Sequence, residues 1–211
     1  MSKVAIQGNA SGTGTFTIAA PNSNTDRTLV LPDEAGTVLT SASSIPASQL
    51  PSNTVMTSGT AIDMNGQSSA EFTGIPSGTK LIILSLHNLV TDYSANVAFE
   101  LGDSGGMESS GYESVLAYNY DGSNLSNSRE TTQFRLGGWG TRVYGGTLTL
   151  TLVDSASNTW SGVATSTTNS SSERGILWSV GTKSLSSTLD RLRFLTSTGT
   201  CASGTVNILY I

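Results

Sequence analysis

Residues 147–152 read Thr-Leu-Thr-Leu-Thr-Leu, a strict alternation that an extended strand can use and a helix cannot. Successive side chains on a strand point to opposite faces, so three leucines line one face and three threonines the other. On a helix the same leucines would spread around the circumference. The two-residue period recurs in Val97, Phe99 and Leu101, in Ile176, Trp178 and Val180, in Leu192 and Phe194, and in Val206, Ile208 and Tyr210. Lys80–Leu86 is apolar on both faces, which predicts a central strand. No window sustains apolar residues at i, i+3, i+4 and i+7, so the chain is expected to be all-β.

Turn signals separate these runs, among them Gly74–Gly78, Gly102–Gly106, Asp121-Gly122, Gly145-Gly146 and Ala156–Asn158. They divide residues 58–211 into about eight to ten short strands, which predicts a jelly-roll-like β-sandwich. Trp160 and Trp178 fall inside alternating runs and are expected in its core. Residues 1–40 differ. They carry only two or three large apolar residues between successive turns, too few to close a core in a unit of that size. An extended β stem shared among several chains fits this texture. Residues 41–57 contain Pro46 and Pro51 among Ser, Ala and Asn, which predicts a linker because each proline holds its predecessor extended.

Charge excludes several functions. Only 12% of residues are charged, and ten Lys and Arg against fifteen Asp and Glu leave a net charge of −5. A phosphate-binding surface needs clustered cations, so no nucleic-acid partner is expected. The longest apolar run, Leu81–Leu86, falls far short of the roughly 20 residues of a membrane-spanning helix. No secretory leader is visible at the N-terminus, so the chain is expected to be made soluble, with no membrane insertion. One His and one Cys rule out a Cys/His zinc cage within one chain and any intrachain disulfide.

Catalytic patterns are sparse. His87 lies within a strand run, where a structural histidine is the simpler reading, and no Gly-x-Ser-x-Gly is present. The carboxylates are scattered, and no spacing marks out the pair a glycosidase needs. The stretch Asn119–Asn124 is faintly like an oxygen-ligand loop but lacks the terminal Glu of the roughly 12-residue calcium pattern. No catalytic residue, metal or cofactor is therefore expected, and the chain is read as a non-enzyme.

The aromatic cluster of Tyr112, Tyr118 and Tyr120, followed by Trp139, is the richest feature. Tyr118 and Tyr120 share one strand face, with Asp121, Asn124 and Arg129 following and Trp139 beyond. Loop packing or subunit contact is the plainer reading of such a cluster; flat aromatic faces edged by Asn, Asp and Arg also suit contact with a glycan or protein receptor.

Two stretches carry a resemblance. The N-terminal segment runs through Gly12–Ile18, the Ala19–Asn22 turn, Arg27–Pro32 and Gly36–Thr40. It resembles a segment of tail-fibre and related structural proteins of tailed bacteriophages. Phe72–Leu84 and the closing Gly204–Ile211 are similar to the first and last strands of the β-rich tips that follow such stems. The resemblance implies a homotrimeric virion protein in the tail or another external appendage, made in the host bacterial cytoplasm. Residues 1–55 would join another virion protein, and the tip would face a host cell-surface glycan or protein. The chain has one copy of the stem segment and no heptads or Gly-X-Y run, which leaves a short fibre, a spike tip, or a structural head, neck or baseplate decoration. A glycan-degrading enzyme is the remaining alternative.

Overall fold

A computed structural model describes residues 10–15, 17, 22–26, 28, 45, 50, 54–91, 95–122, 125–137, 142–170 and 174–211. The chain divides between Ser43 and Ser44 into two units, and every strand among the described residues belongs to the second. Most residues expected to form the stem and linker, including Phe16, Ile18, Leu29 and Leu31, lie outside the described residues. Those described between 10 and 28 are exposed and in no strand.

The second unit is all-β, with fourteen strands among the described residues. They are β1 (Thr57–Ser58), β2 (Ile62–Asp63), β3 (Ser69–Thr73), β4 (Leu81–Thr91), β5 (Val97–Asp103), β6 (Gly106–Glu108) and β7 (Tyr112–Tyr120). The chain continues through β8 (Ser126–Glu130), β9 (Phe134–Gly137), β10 (Val143–Asp154), β11 (Thr159–Asn169), β12 (Arg174–Ser184), β13 (Leu189–Thr196) and β14 (Cys201–Tyr210). A nine-stranded sheet runs β1-β14-β4-β10-β11-β12-β7-β8, with β2 also on β14, and a five-stranded sheet runs β3-β13-β5-β6, with β9 also on β5. The strand pairings are antiparallel, and the chain passes repeatedly from one sheet to the other, as in a jelly roll. The β10-β11-β12 meander extends the larger sheet.

The core lies between the sheets. Ile82, Leu84 and Leu86 of β4, Leu148 and Leu150 of β10, and Trp160 of β11 line the large sheet's inner face. The small sheet opposes them with Phe99, Leu101, Phe134, Leu192 and Phe194. The Phe99 and Phe194 rings are 5.5 Å apart, and Tyr112 meets Phe134 edge-on at 5.3 Å, arrangements aromatic quadrupoles favour. Tyr112 Oη accepts from Leu101 N and donates to the Glu108 carbonyl, so its polar tip is satisfied, and burial pushes its phenol well above the ordinary range.

One expectation is overturned. Trp160 is buried, but Trp178 is 40% exposed, and Ile176 and Val180 point outward with it. The register with β7 and β11 instead turns Leu177, Ser179 and Lys183 inward. The alternation was legible; its direction was not.

Strand register defines two ends. At one, Val143 pairs with Val90 and Asn169, Asn169 with Arg174, and Gly175 with Tyr120. The connections that follow β2, β4, β7, β9, β11 and β13 leave from this end, and those that follow β3, β5, β6, β8, β10 and β12 from the opposite one. At the other, Leu81 pairs with Thr151, Trp160 with Lys183, and Lys183 with Tyr112. The chain enters the sandwich there, since Thr57 pairs with Tyr210 and Tyr210 with Ile82. Strands of 11 residues separate the two ends by about 35 Å.

Candidate functional site: the loop end of the sandwich

Tyr118 and Tyr120 sit at the loop end on the inward-facing side of β7, both half-buried. Their rings are 5.4 Å apart at 40°. The Arg142 guanidinium, itself buried, lies 4.4 Å from the Tyr120 ring centroid, a cation–π distance. Tyr120 also packs onto β12 at Gly175, where any Cβ would strike its ring. Tyr144 is buried close by, and desolvation first, then the neighbouring Tyr120, pushes its phenol up to about 12.

Asp121 begins the turn after β7. It and Gly122 take left-handed φ values of 48° and 72°. Asp121 N donates to the Arg174 carbonyl at 2.8 Å, and Arg174 N donates back to Asp121 Oδ1 at 2.8 Å. The carboxylate therefore closes the β7–β12 ladder as well as facing solvent. Arg129 is placed elsewhere. On β8 it pairs with Val115 of β7, on the outward side of the sheet, and its guanidinium meets Glu113 at 3.0 Å with both side chains exposed. Asn124 and Trp139 lie outside the described residues. The structure thus brings Tyr118, Tyr120 and Asp121 to one end and separates from them Arg129 and Tyr112, the latter buried at the opposite end against Phe134. Arg142 completes the aromatic group; a single arginine among glycines gave the sequence no period to mark it.

A second cluster, also missed by the sequence reading, lies at the opposite end. Lys183 Nζ donates to Glu108 Oε2 and to the Ser184 carbonyl. Ser186 N donates to Glu108 Oε1 at 2.7 Å, and Ser186 Oγ to Asp103 Oδ2 at 2.7 Å. Asp103 Oδ1 accepts from Gly105 N. These bonds clamp the β5–β6 hairpin to the β12–β13 turn. The Ser186 hydroxyl and the Gly105 amide lower the Asp103 carboxyl below its usual range. Burial raises that of Glu108, but Lys183 and the Ser186 hydrogen bonds outweigh it and leave it lowered. General acid catalysis by one of two carboxylates needs the opposite, a raised partner.

The clamp sets an acid limit. Both carboxyls are depressed in the fold, so their contribution is complete above the unfolded values of about 3.9–4.3 and is lost as pH falls through the lower folded values. The melting temperature is expected to fall as pH drops from about 5 to 3, with a shallower slope in Glu108→Gln. Equal slopes for the two chains in circular-dichroism melts would contradict this role.

His87 is exposed, with its Nε2 3.2 Å from Asn88 Nδ2, and Cys201 is fully buried. They lie apart along β4, since His87 pairs with Thr205 and Cys201 with Thr91. No group of three or more His, Cys, Asp or Glu able to hold a metal occurs among the described residues. Two clefts near the chain's entrance, about 160 Å³ beside Trp160 and about 250 Å³ beside Tyr210, are smaller than the roughly 300–1,000 Å³ of small-molecule sites. Comparison with known proteins finds no matching family model, no similar curated protein and no similar solved structure.

Proposed function

We propose that this chain is a non-enzymatic, fibre-type structural protein of a tailed-bacteriophage particle, homotrimeric, joined to another virion protein through residues 1–55. Its sandwich meets the host surface with the loop end. The observation that carries this reading is the separation of the two ends: the chain enters beside Tyr210, and the Tyr118–Tyr120–Arg142 group lies at the far end of strands about 35 Å long. A domain anchored at one end presents the other to its surroundings, where binding residues carried on connections stand clear of the scaffold. The stem-like segment Gly12–Thr40 supports the same assignment. Trimerisation adds avidity, because linked sites turn later contacts into intramolecular ones and strengthen attachment by ~10²–10⁴.

The second reading, a decoration protein without a receptor, draws on the contacts already made at the loop end. Tyr120 is held by Arg142 and Asp121 by Arg174, as packing alone would require. Binding of the purified full chain to envelopes of bacteria susceptible to the phage separates the two. The unaltered chain is expected to bind, and a six-residue insertion between Ser171 and Ser172, or Tyr118→Ala, to weaken binding at least about tenfold, a loss of roughly 1.4 kcal/mol. Binding that survives both changes removes the receptor role from this end, and no binding at all leaves the decoration reading.

A further inference from the structure

The two sheets differ sharply on their outward faces. The small sheet carries charge there, with Glu71 and Asp190 around Arg191 and with Glu100 paired to Arg193. The centre of the large sheet carries none. Ile176, Trp178 and Val180 stand in a row on β12, exposed by 50%, 40% and 54%. Val180 has Val163 of β11 on one side and Val115 of β7 on the other, themselves 49% and 47% exposed. Beyond β11 the patch is bordered by Thr147, Thr149 and Thr151 of β10, and the charges nearest to it, Glu113 with Arg129 and Arg174, lie at its rim. An apolar centre with a polar rim is the anatomy of a subunit contact.

We infer that this face, centred on Trp178, is where copies of this chain meet. Four strands spaced about 4.8 Å, each about 11 residues long at about 3.3 Å per residue, present on the order of 700 Å². A stable interface takes roughly 800 Å² from each partner. Charge favours a second copy as the occupant. The chain carries a net charge of −5, so identical surfaces repel unless they meet where charge is missing, and this face is such a place. A partner selected by charge would find nothing to read there. The patch is also balanced about β12, with a valine on either side of Val180, so a copy can be approached from both flanks at once. Three such faces turned toward a common axis enclose their Ile176, Trp178 and Val180 rows in one dry centre. The place of the contact rests on the face alone; the number three rests on the trimeric reading above.

Light scattering of the full chain tests both parts. The expected mass is three times 21.8 kDa for the unaltered protein and for Ser69→Lys on the opposite sheet. Trp178→Lys with Val180→Lys is expected to give a folded chain of 21.8 kDa, a threefold fall, because residues 1–40 carry too few large apolar side chains to hold the chains together without this face. Should the lysine pair not fold, Trp178→Thr with Val180→Thr keeps strand preference while removing most of the apolar surface, and the same outcome is expected. A folded variant that keeps the oligomer overturns the assignment of the face and leaves the trimer intact. A dimer dissolved by the substitutions keeps the face and overturns the count, and a monomeric unaltered chain overturns both.

Discussion

Lys183→Ala is expected to be among the most damaging single substitutions in the sandwich, costing about 3 kcal/mol, the low end of the range for breaking a buried ion pair. The Lys183 side chain is 4% exposed on the inward side of β12, its ammonium 5.4 Å from the Tyr112 ring centroid. Glu108 keeps 22% exposure, so water screens part of the orphaned charge, which is why the low end applies. For a domain of this size the loss corresponds to a melting temperature lower by roughly 6–12 °C. Arg129→Ala breaks an ion pair of ordinary length, but both partners are two-thirds exposed or more, and its cost is expected to stay below about 1 kcal/mol. Thermal and urea melts of the two variants side by side decide the matter. A shift for Lys183→Ala no larger than that for Arg129→Ala would show that the clamp does not hold the end of the sandwich together.

Phe99→Ala is the second large effect, with an expected loss of about 3–5 kcal/mol. Phe99 is fully buried on β5, paired across strands with Phe194 and Phe134, and its removal leaves a cavity both sheets would have to collapse to fill. Because β5 carries the centre of the small sheet, the loss is expected to be cooperative, seen as a lower urea midpoint with an unchanged slope. A change below about 1 kcal/mol would mean the facing layers repack freely and the core is not closed as described.

The fold class was legible because alternation is a local signal. Thr147–Leu152, Val97–Leu101 and Val206–Tyr210 each state strand and face within six residues, and all three became strands with the expected leucines, Phe99 and Ile208 inside. β11 was legible only at Trp160, expected and found in the core. Beyond it the strand turns Gly162, Ala164, Ser166 and Thr168 inward, small or hydroxyl-bearing residues that extend no apolar face. Trp178 shows the complementary failure. An alternating strand has an apolar side, but whether that side meets the chain's own core or another surface depends on register with strands more than fifty residues away.

The candidate site was partly legible for the same reason. Tyr118 and Tyr120 share a face by local period, and the structure keeps them in contact. Arg129 was grouped with them by closeness in sequence, yet the turn after β7 places it on the other side of the sheet. Neither the contact of Arg142 with the Tyr120 ring nor the link from Glu108 to Lys183, 75 residues apart, leaves any trace in a sequence window.

The proposed attachment role is tested most directly by a density map of purified virus particles in which this chain is detected. The expected map shows three sandwiches around one axis on the tail or another external appendage, with the Thr57–Ser58 end toward the particle and the loop end outward. Sandwiches lying in the head shell, or turned so that the loop end is buried against the particle, would contradict an attachment role.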